Sequence, residues 1–137
     1  MFFQTEIVLK PRSRGIHLIT NEIALHIPNY KVGIANIFLK HTSAALALNE
    51  NADYSVRDDV EYFLDRFIPD GYSGFTHTLE GADDMPAHLK SLFFGVNLTI
   101  PITNGRLNLG TWQGIYLCEF RNYSTSRHIV ITANGEY

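Results

Sequence analysis

VNLTIPITNGRLNLGTWQGIYLCEFRNYSTSRHIVITA, residues 96–133, decides the fold. Within it VNLTIPI (96–102), IYLCEF (115–120) and RHIVITA (127–133) are rich in β-branched and aromatic residues or alternate with period two, so each is expected to be a strand. Asn104-Gly105-Arg106 and the NYSTS run at 122–126 supply turn chemistry between them, which predicts antiparallel neighbours. Outward from this block, residues 2–10 and 15–20 read as two further strands split by the breaker PRSRG, and GIANIFLK (33–40) as another.

Helical spacing appears elsewhere. Thr20 is expected to cap a short helix running to about Asn29, with Ile23, Ala24 and Ile27 on one side and Pro28 near its end. The clearest helix starts after Asn51 or Asp53, carries Val56, Val60, Phe63, Leu64 and Phe67 at steps of three and four, and stops at Pro69. The charges Asp58, Asp59, Glu61, Asp65 and Arg66 then form its solvated face. DGYSGFTHTLEGA (70–82) is a long glycine-punctuated loop, and loops of this length are often functional. Asp84 is expected to cap a last helix with Pro86 in its first turn, where a missing N–H costs nothing. Strands and helices without a βαβ rhythm give an α+β fold: one compact domain over residues 1–137, a β-sandwich or barrel-like mixed or antiparallel sheet with a few flanking helices.

A chain of 137 residues with 45% hydrophobic and 18% charged residues can build one core and is neither disordered nor membranous in composition. No apolar run approaches the roughly 18 residues of a membrane span, and the N-terminus has no basic-then-apolar leader, so the cytoplasm is the expected location. The lone Cys118 excludes an internal disulfide and is expected to be a buried small side chain. With a net charge of −3 and scattered Lys and Arg, the basic footprint of a nucleic-acid binder is missing.

Three polar clusters can carry chemistry. HTSAALALNE (41–50) places His41 at a strand end, then Thr42 and Ser43, and finishes in Asn49 and Glu50. HTLEGADDMPAHLK (77–90) sets two histidines among Glu80, Asp83 and Asp84; Asp84 and His88 are four apart, on one helical face, where a carboxylate orients an imidazole or shares a divalent cation, magnesium or zinc, with it. That spacing matches no standard zinc signature. NGRLNLGTWQGIYLCEF (104–120) surrounds Trp112 and Gln113 with glycines, an aromatic platform but not a phosphate-binding P-loop. Glu119 lies in an apolar strand and needs a partner: Arg127, Arg121, a histidine or a metal.

HTSAALALNENAD, the acidic helix ending in Pro69, HTLEGADDMPAHLK, and LTIPITNGRLNLGTWQGIYLCEFR followed by Arg127 together resemble the YjbQ-like family of secondary thiamine-phosphate synthases over nearly the whole chain. DDMPAH and GRLNLGTWQGIYLCEFR are the most specific parts. The resemblance implies a homotrimer and a weak transferase joining hydroxymethylpyrimidine diphosphate to thiazole phosphate with loss of pyrophosphate, assisted by a divalent metal. On this expectation His41, Asp84, His88 and Glu119 are catalytic, with Asp84, His88 and Glu119 holding the metal. Thr42, Ser43, Asn49, Trp112, Gln113 and Arg127 bind the small phosphorylated substrate. The competing expectations are a noncatalytic metal- or ligand-binding trimer and a metal-dependent hydrolase of a phosphorylated metabolite.

Overall fold

The computed structural model describes residues 1–137 and contains eight strands and three helices. In chain order these are β1 (Phe2–Leu9), β2 (Gly15–Leu18), α1 (Thr20–Ala24), β3 (Val32–Leu39), β4 (Ala44–Glu50), α2 (Tyr54–Phe67), α3 (Asp84–Phe94), β5 (Asn97–Thr103), β6 (Arg106–Leu107), β7 (Gln113–Glu119) and β8 (Arg127–Glu136). A five-stranded sheet in the order β1-β8-β3-β5-β6 packs on a three-stranded sheet in the order β2-β7-β4, and every pairing is antiparallel. The fold is α+β, as its sequence predicts.

The burial pattern explains the layers. Along β8, Arg127, Ile129, Ile131 and Ala133 are buried and alternate with half-buried His128, Val130 and Thr132, the signature of a sheet with one covered face. Strand β7 is buried from Gly114 to Glu119 because both of its faces are covered. Ile115 and Leu117 join Ile37, Leu39, Leu46, Ile100, Ile129 and Ile131 in the core between the sheets. On its other face Tyr116 and Cys118 pack with Phe120, Ala45, Leu64 of α2 and Ala87 of α3. Truncating one of these central aliphatics, such as Leu117, is worth about 2–5 kcal/mol.

The three C-terminal strands form, but none pairs with another. β5 and β8 flank β3, and β7 lies in the second sheet between β2 and β4. Apart from the short β6 that pairs with β5, their partners come from the N-terminal half, and the segments after β6 and β7 cross between layers. The one tight hairpin is β5–β6, where Asn104 (φ 50°) and Gly105 (φ 76°) make the two left-handed turn positions that favour an Asn-Gly pair.

The helices depart from expectation at their ends. α1 stops at Ala24, well before Asn29. The Thr20 hydroxyl is taken by the Ile115 N–H at 2.9 Å, so it does not cap, and the chain tightens through His26 N–H to Ile23 O and Ile27 N–H to Ala24 O before Pro28. α2 is capped by Asp53, whose Oδ1 accepts the Ser55 N–H at 2.9 Å. Its predicted apolar stripe splits: Leu64 is buried, whereas Phe63 and Phe67 are exposed and stacked at 6.0 Å, with Phe93 of α3 5.9 Å from Phe67. Asp65 sits at the edge of the solvated face, its side chain 40% exposed while the buried Lys90 amine (2.6 Å) and Arg14 (2.8 Å) both hold it. Asp83, not Asp84, occupies the N-cap of α3, and neither carboxylate caps, since both are engaged with Arg121. No helix is long and apolar enough to cross a membrane.

Candidate functional site

At one end of the sandwich four segments meet: the turn between β3 and β4, the loop before α3, the first two turns of α3, and the segment joining β7 to β8. Asp84, in the first turn of α3, is almost wholly buried, yet its Oδ2 faces two imidazoles. His77 Nε2 lies 2.8 Å away and His88 Nε2 3.2 Å away, and the three ligand atoms sit within 4.8 Å of one another. The two carboxylate–imidazole distances approach the separation of roughly 3.3 Å between ligands of a tetrahedral zinc ion.

The other face of His88 sharpens this geometry. Its Nδ1 is 2.8 Å from the Thr42 carbonyl oxygen, which can only accept, so Nδ1 carries a proton and donates. A neutral His88 then turns the lone pair of Nε2 toward the carboxylate oxygen of Asp84, an arrangement that repels unless a cation stands between them. Either a second proton on the ring or a metal ion meets that need. A histidine that ligates through one nitrogen and donates the other to a backbone carbonyl is the usual arrangement around bound metals.

Arg121 holds the carboxylates from behind. Its Nη1 donates to Asp84 Oδ1 at 2.5 Å, its Nε to Asp83 Oδ2 at 2.9 Å and its Nη2 to the Glu80 carbonyl at 2.9 Å. Asp83 also accepts the Asn122 N–H. Burial alone would raise the Asp83 carboxyl, but these N–H donors outweigh it and hold the group below the ordinary carboxylate range.

Glu119 stands apart from the three-residue cluster. Arg127 Nε and Nη2 grip its two oxygens, and Nη2 reaches on to Ser43 Oγ at 3.2 Å. The partner that the sequence demanded for Glu119 is therefore Arg127. Arg127 thus bridges Glu119 and Ser43, while Thr42 contributes its carbonyl to His88. His41 accepts the His128 N–H at Nε2, and burial, then the charge of Arg127, push its pKa down against the opposing pull of Glu119. His41, Thr42, His88, Leu92, Gly95 and Val96 line an open cleft of about 540 Å3, with His88 and Leu92 one turn apart on the same face of α3. Ser91 also faces it, with its hydroxyl donated to the Ala44 carbonyl.

The remaining expected site residues lie elsewhere. β4 and β7 pair from Ala44↔Glu119 to Glu50↔Gln113, so Gln113 is six residues along β7 from Glu119, about 20 Å away. Trp112 is exposed there, Gln113 Oε1 accepts the Gly110 N–H, and Asn49 Oδ1 accepts the Glu50 N–H. Within one chain Asn49, Trp112 and Gln113 do not reach the His77–Asp84–His88 cluster. His77 was given no site role from the sequence beyond membership of the 77–90 polar cluster, and Arg121 was expected only as a candidate partner of Glu119; the structure brings both to Asp84. His77 comes from an aperiodic loop seven residues before Asp84, and the only clue to Arg121 was a cation directly after a strand that ends in a buried acid.

A family model described as UPF0047 protein YjbQ-like matches residues 5–136. The UPF0047 protein YjbQ of Escherichia coli O157:H7 is 45% identical over 139 residues, covering 99% of this chain and all of that protein. Among solved structures, a conserved hypothetical protein of Thermus thermophilus superposes with a TM-score of 0.84 at 31% identity, covering 93% of this chain and 97% of that one. A YbjQ-like protein of unknown function from Sulfolobus solfataricus P2 superposes at 0.85 with 27% identity and 99% of each chain covered.

Proposed function

This chain belongs to the UPF0047 YjbQ-like family, and on that premise we propose that it is a metal-dependent transferase of the thiamine-phosphate synthase type. It would couple hydroxymethylpyrimidine diphosphate to thiazole phosphate with release of pyrophosphate. The observation that carries the metal reading is His88, whose Nδ1 is committed to the Thr42 carbonyl while Nε2 faces Asp84. His77, Asp84 and His88 are the ligands; two imidazoles and one carboxylate suit zinc better than magnesium, which favours oxygen. Bound there, a divalent cation would neutralise charge on a diphosphate leaving group.

The chain's own residues supply the rest. Arg121 fixes the Asp84 carboxylate so that one oxygen stays free for the cluster, and Arg127 anchors the Thr42–Ser43 turn through Ser43. The cleft beside His88 has room for a compact ring, with Leu92 and Val96 as its apolar lining. A homotrimer accords with the exposed cluster of Phe63, Phe67 and Phe93, and a cytoplasmic location with a single, buried, unpaired cysteine.

The test is turnover by metal-stripped protein supplied with both substrates, with and without zinc or magnesium, alongside His88→Ala. Metal-dependent thiamine phosphate formation that vanishes in a folded His88→Ala protein is the expected result. Zinc binding with a raised Tm and no product would overturn the transferase reading in favour of a metal-binding protein without turnover.

A further inference from the structure

His41 stands where β3 gives out. Lys40 makes the last backbone contact to β8, donating its N–H to the His128 carbonyl at 3.1 Å, and the chain then turns away. The His128 N–H, which would otherwise lack a ladder partner, is accepted by His41 Nε2 at 2.8 Å. A ring nitrogen that accepts a backbone N–H carries no proton, so the single proton of a neutral His41 is on Nδ1. Protonating Nε2 would set two N–H groups against each other and break the contact.

On balance the surroundings oppose that protonation: partial burial and the nearby cations disfavour it, and only the negative Glu119 favours it. Lys40 on its own turn and Arg127 and His128 of β8 are cations or potential cations. Glu119 of β7 is gripped by Arg127, and Glu6 of β1 is shared between Lys40 and His128, so neither acid is free for His41. Nδ1 makes no hydrogen bond within the chain and is open to solvent, and the ring is part of the cleft wall beside Thr42 and His88.

We propose that His41 is held as the neutral Nδ1–H tautomer and donates that proton to an anionic oxygen of a ligand in the cleft, acting as a fixed binding donor and not as a general base. The inference rests on the reading of the cleft as the substrate site beside a bound cation. It moves the anion contact away from Arg127, whose guanidinium is buried and spent on Glu119 and Ser43, and gives it to a side chain with a free donor.

The deciding measurement is a long-range 1H–15N correlation spectrum of the histidine side chains, followed from neutral pH down through the ordinary histidine value of 6.5. His41 should show a protonated Nδ1 and a bare Nε2 and stay neutral below that value. Inorganic phosphate added to zinc-loaded protein should shift the Nδ1–H resonance. His41→Asn, which keeps a donor near the Nδ1 position, should retain phosphate binding, whereas His41→Gln, which can still accept the His128 N–H, should weaken it about 10- to 100-fold. A protonated Nε2, an imidazolium at neutral pH, an Nδ1–H indifferent to phosphate, or a Gln variant that binds phosphate normally would overturn the proposal. Failure of zinc to bind would overturn the metal reading instead, because the tautomer of His41 is read equally well on the metal-free protein.

Discussion

Glu119 and Arg127 clasp each other across the two sheets of the sandwich: one ends β7, the other begins β8, and Arg127 Nε to Glu119 Oε1 is 2.7 Å with Nη2 to Oε2 at 2.5 Å. Both side chains are buried. Removing one member leaves an uncompensated charge between the sheets, so Glu119→Gln or Arg127→Met should cost about 3–5 kcal/mol, whereas the paired change to Leu and Met should cost much less. Guanidinium unfolding of the two single variants and the pair measures this, and single-variant costs below the paired one would refute it.

Arg121 should control metal affinity without touching metal. Its Nη1 bond fixes Asp84 Oδ1 and leaves Oδ2 to the histidines. Arg121→Gln is expected to weaken zinc by roughly 10- to 100-fold, the usual effect of losing a group that orients a ligand. Asp84→Asn should weaken it further. Competition against a chromophoric chelator gives both values, and unchanged affinity in Arg121→Gln would remove Arg121 from the site.

Acid should loosen the α2–α3 contact through Asp65. Burial raises this carboxyl, but hydrogen bonds from Lys90 and Arg14 outweigh it and hold the folded value below the ordinary 3.8. A depressed folded value contributes stability that is complete above the unfolded value and is lost as pH falls through the folded one. Stability should therefore decline as pH drops below about 3.8, with a shallower decline in Asp65→Asn. Melting curves across that range settle the sign; an Asp65→Asn protein with an unaltered acid limb would count against it.

Cys118 should be inert while the protein is folded. It lies in β7 under α2 and α3, and burial pushes its thiol up to about 12, so almost no thiolate is present near neutrality. Iodoacetamide labelling is expected only in denaturant, at a rate that follows unfolding. Rapid labelling of native protein would show that the helix layer opens.

Phe63, Phe67 and Phe93 form an aromatic cluster that the folded chain does not cover. The proposed trimer would bury it, so Phe67→Glu should shift the mass in solution from three chains toward one with little change in the circular dichroism spectrum. Sedimentation velocity distinguishes these species, and a monomeric unsubstituted protein would dismiss the trimer.

Much of the fold was legible because its signals are local. Period-two alternation marked β5 and β8, the apolar run marked β7, Asn104-Gly105 marked its turn, and Asp53 marked the start of α2. Helix ends were less legible: Thr20 and Asp84 look like caps in sequence, but distant groups claim their oxygens, Ile115 N–H in one case and His77, His88 and Arg121 in the other. Phe63 and Phe67 have helical spacing but no core to face, since spacing says which residues share a side and not what covers it.

The site divides in the same way. By itself the sequence determined that Asp84 and His88 share a helical face, that Glu119 must be paired, and that Cys118 is buried, because these follow from periodicity, from the cost of burying charge and from the apolar character of a free cysteine. Tertiary structure alone decided that His77 joins Asp84, that Arg127 takes Glu119 away from the histidines, and that Trp112 and Gln113 stand at the far end of β7. The physical reason is register: antiparallel pairing of β4 with β7 sets which strand ends coincide, and the loops before α3 and β8 bring side chains together over separations that no local pattern encodes.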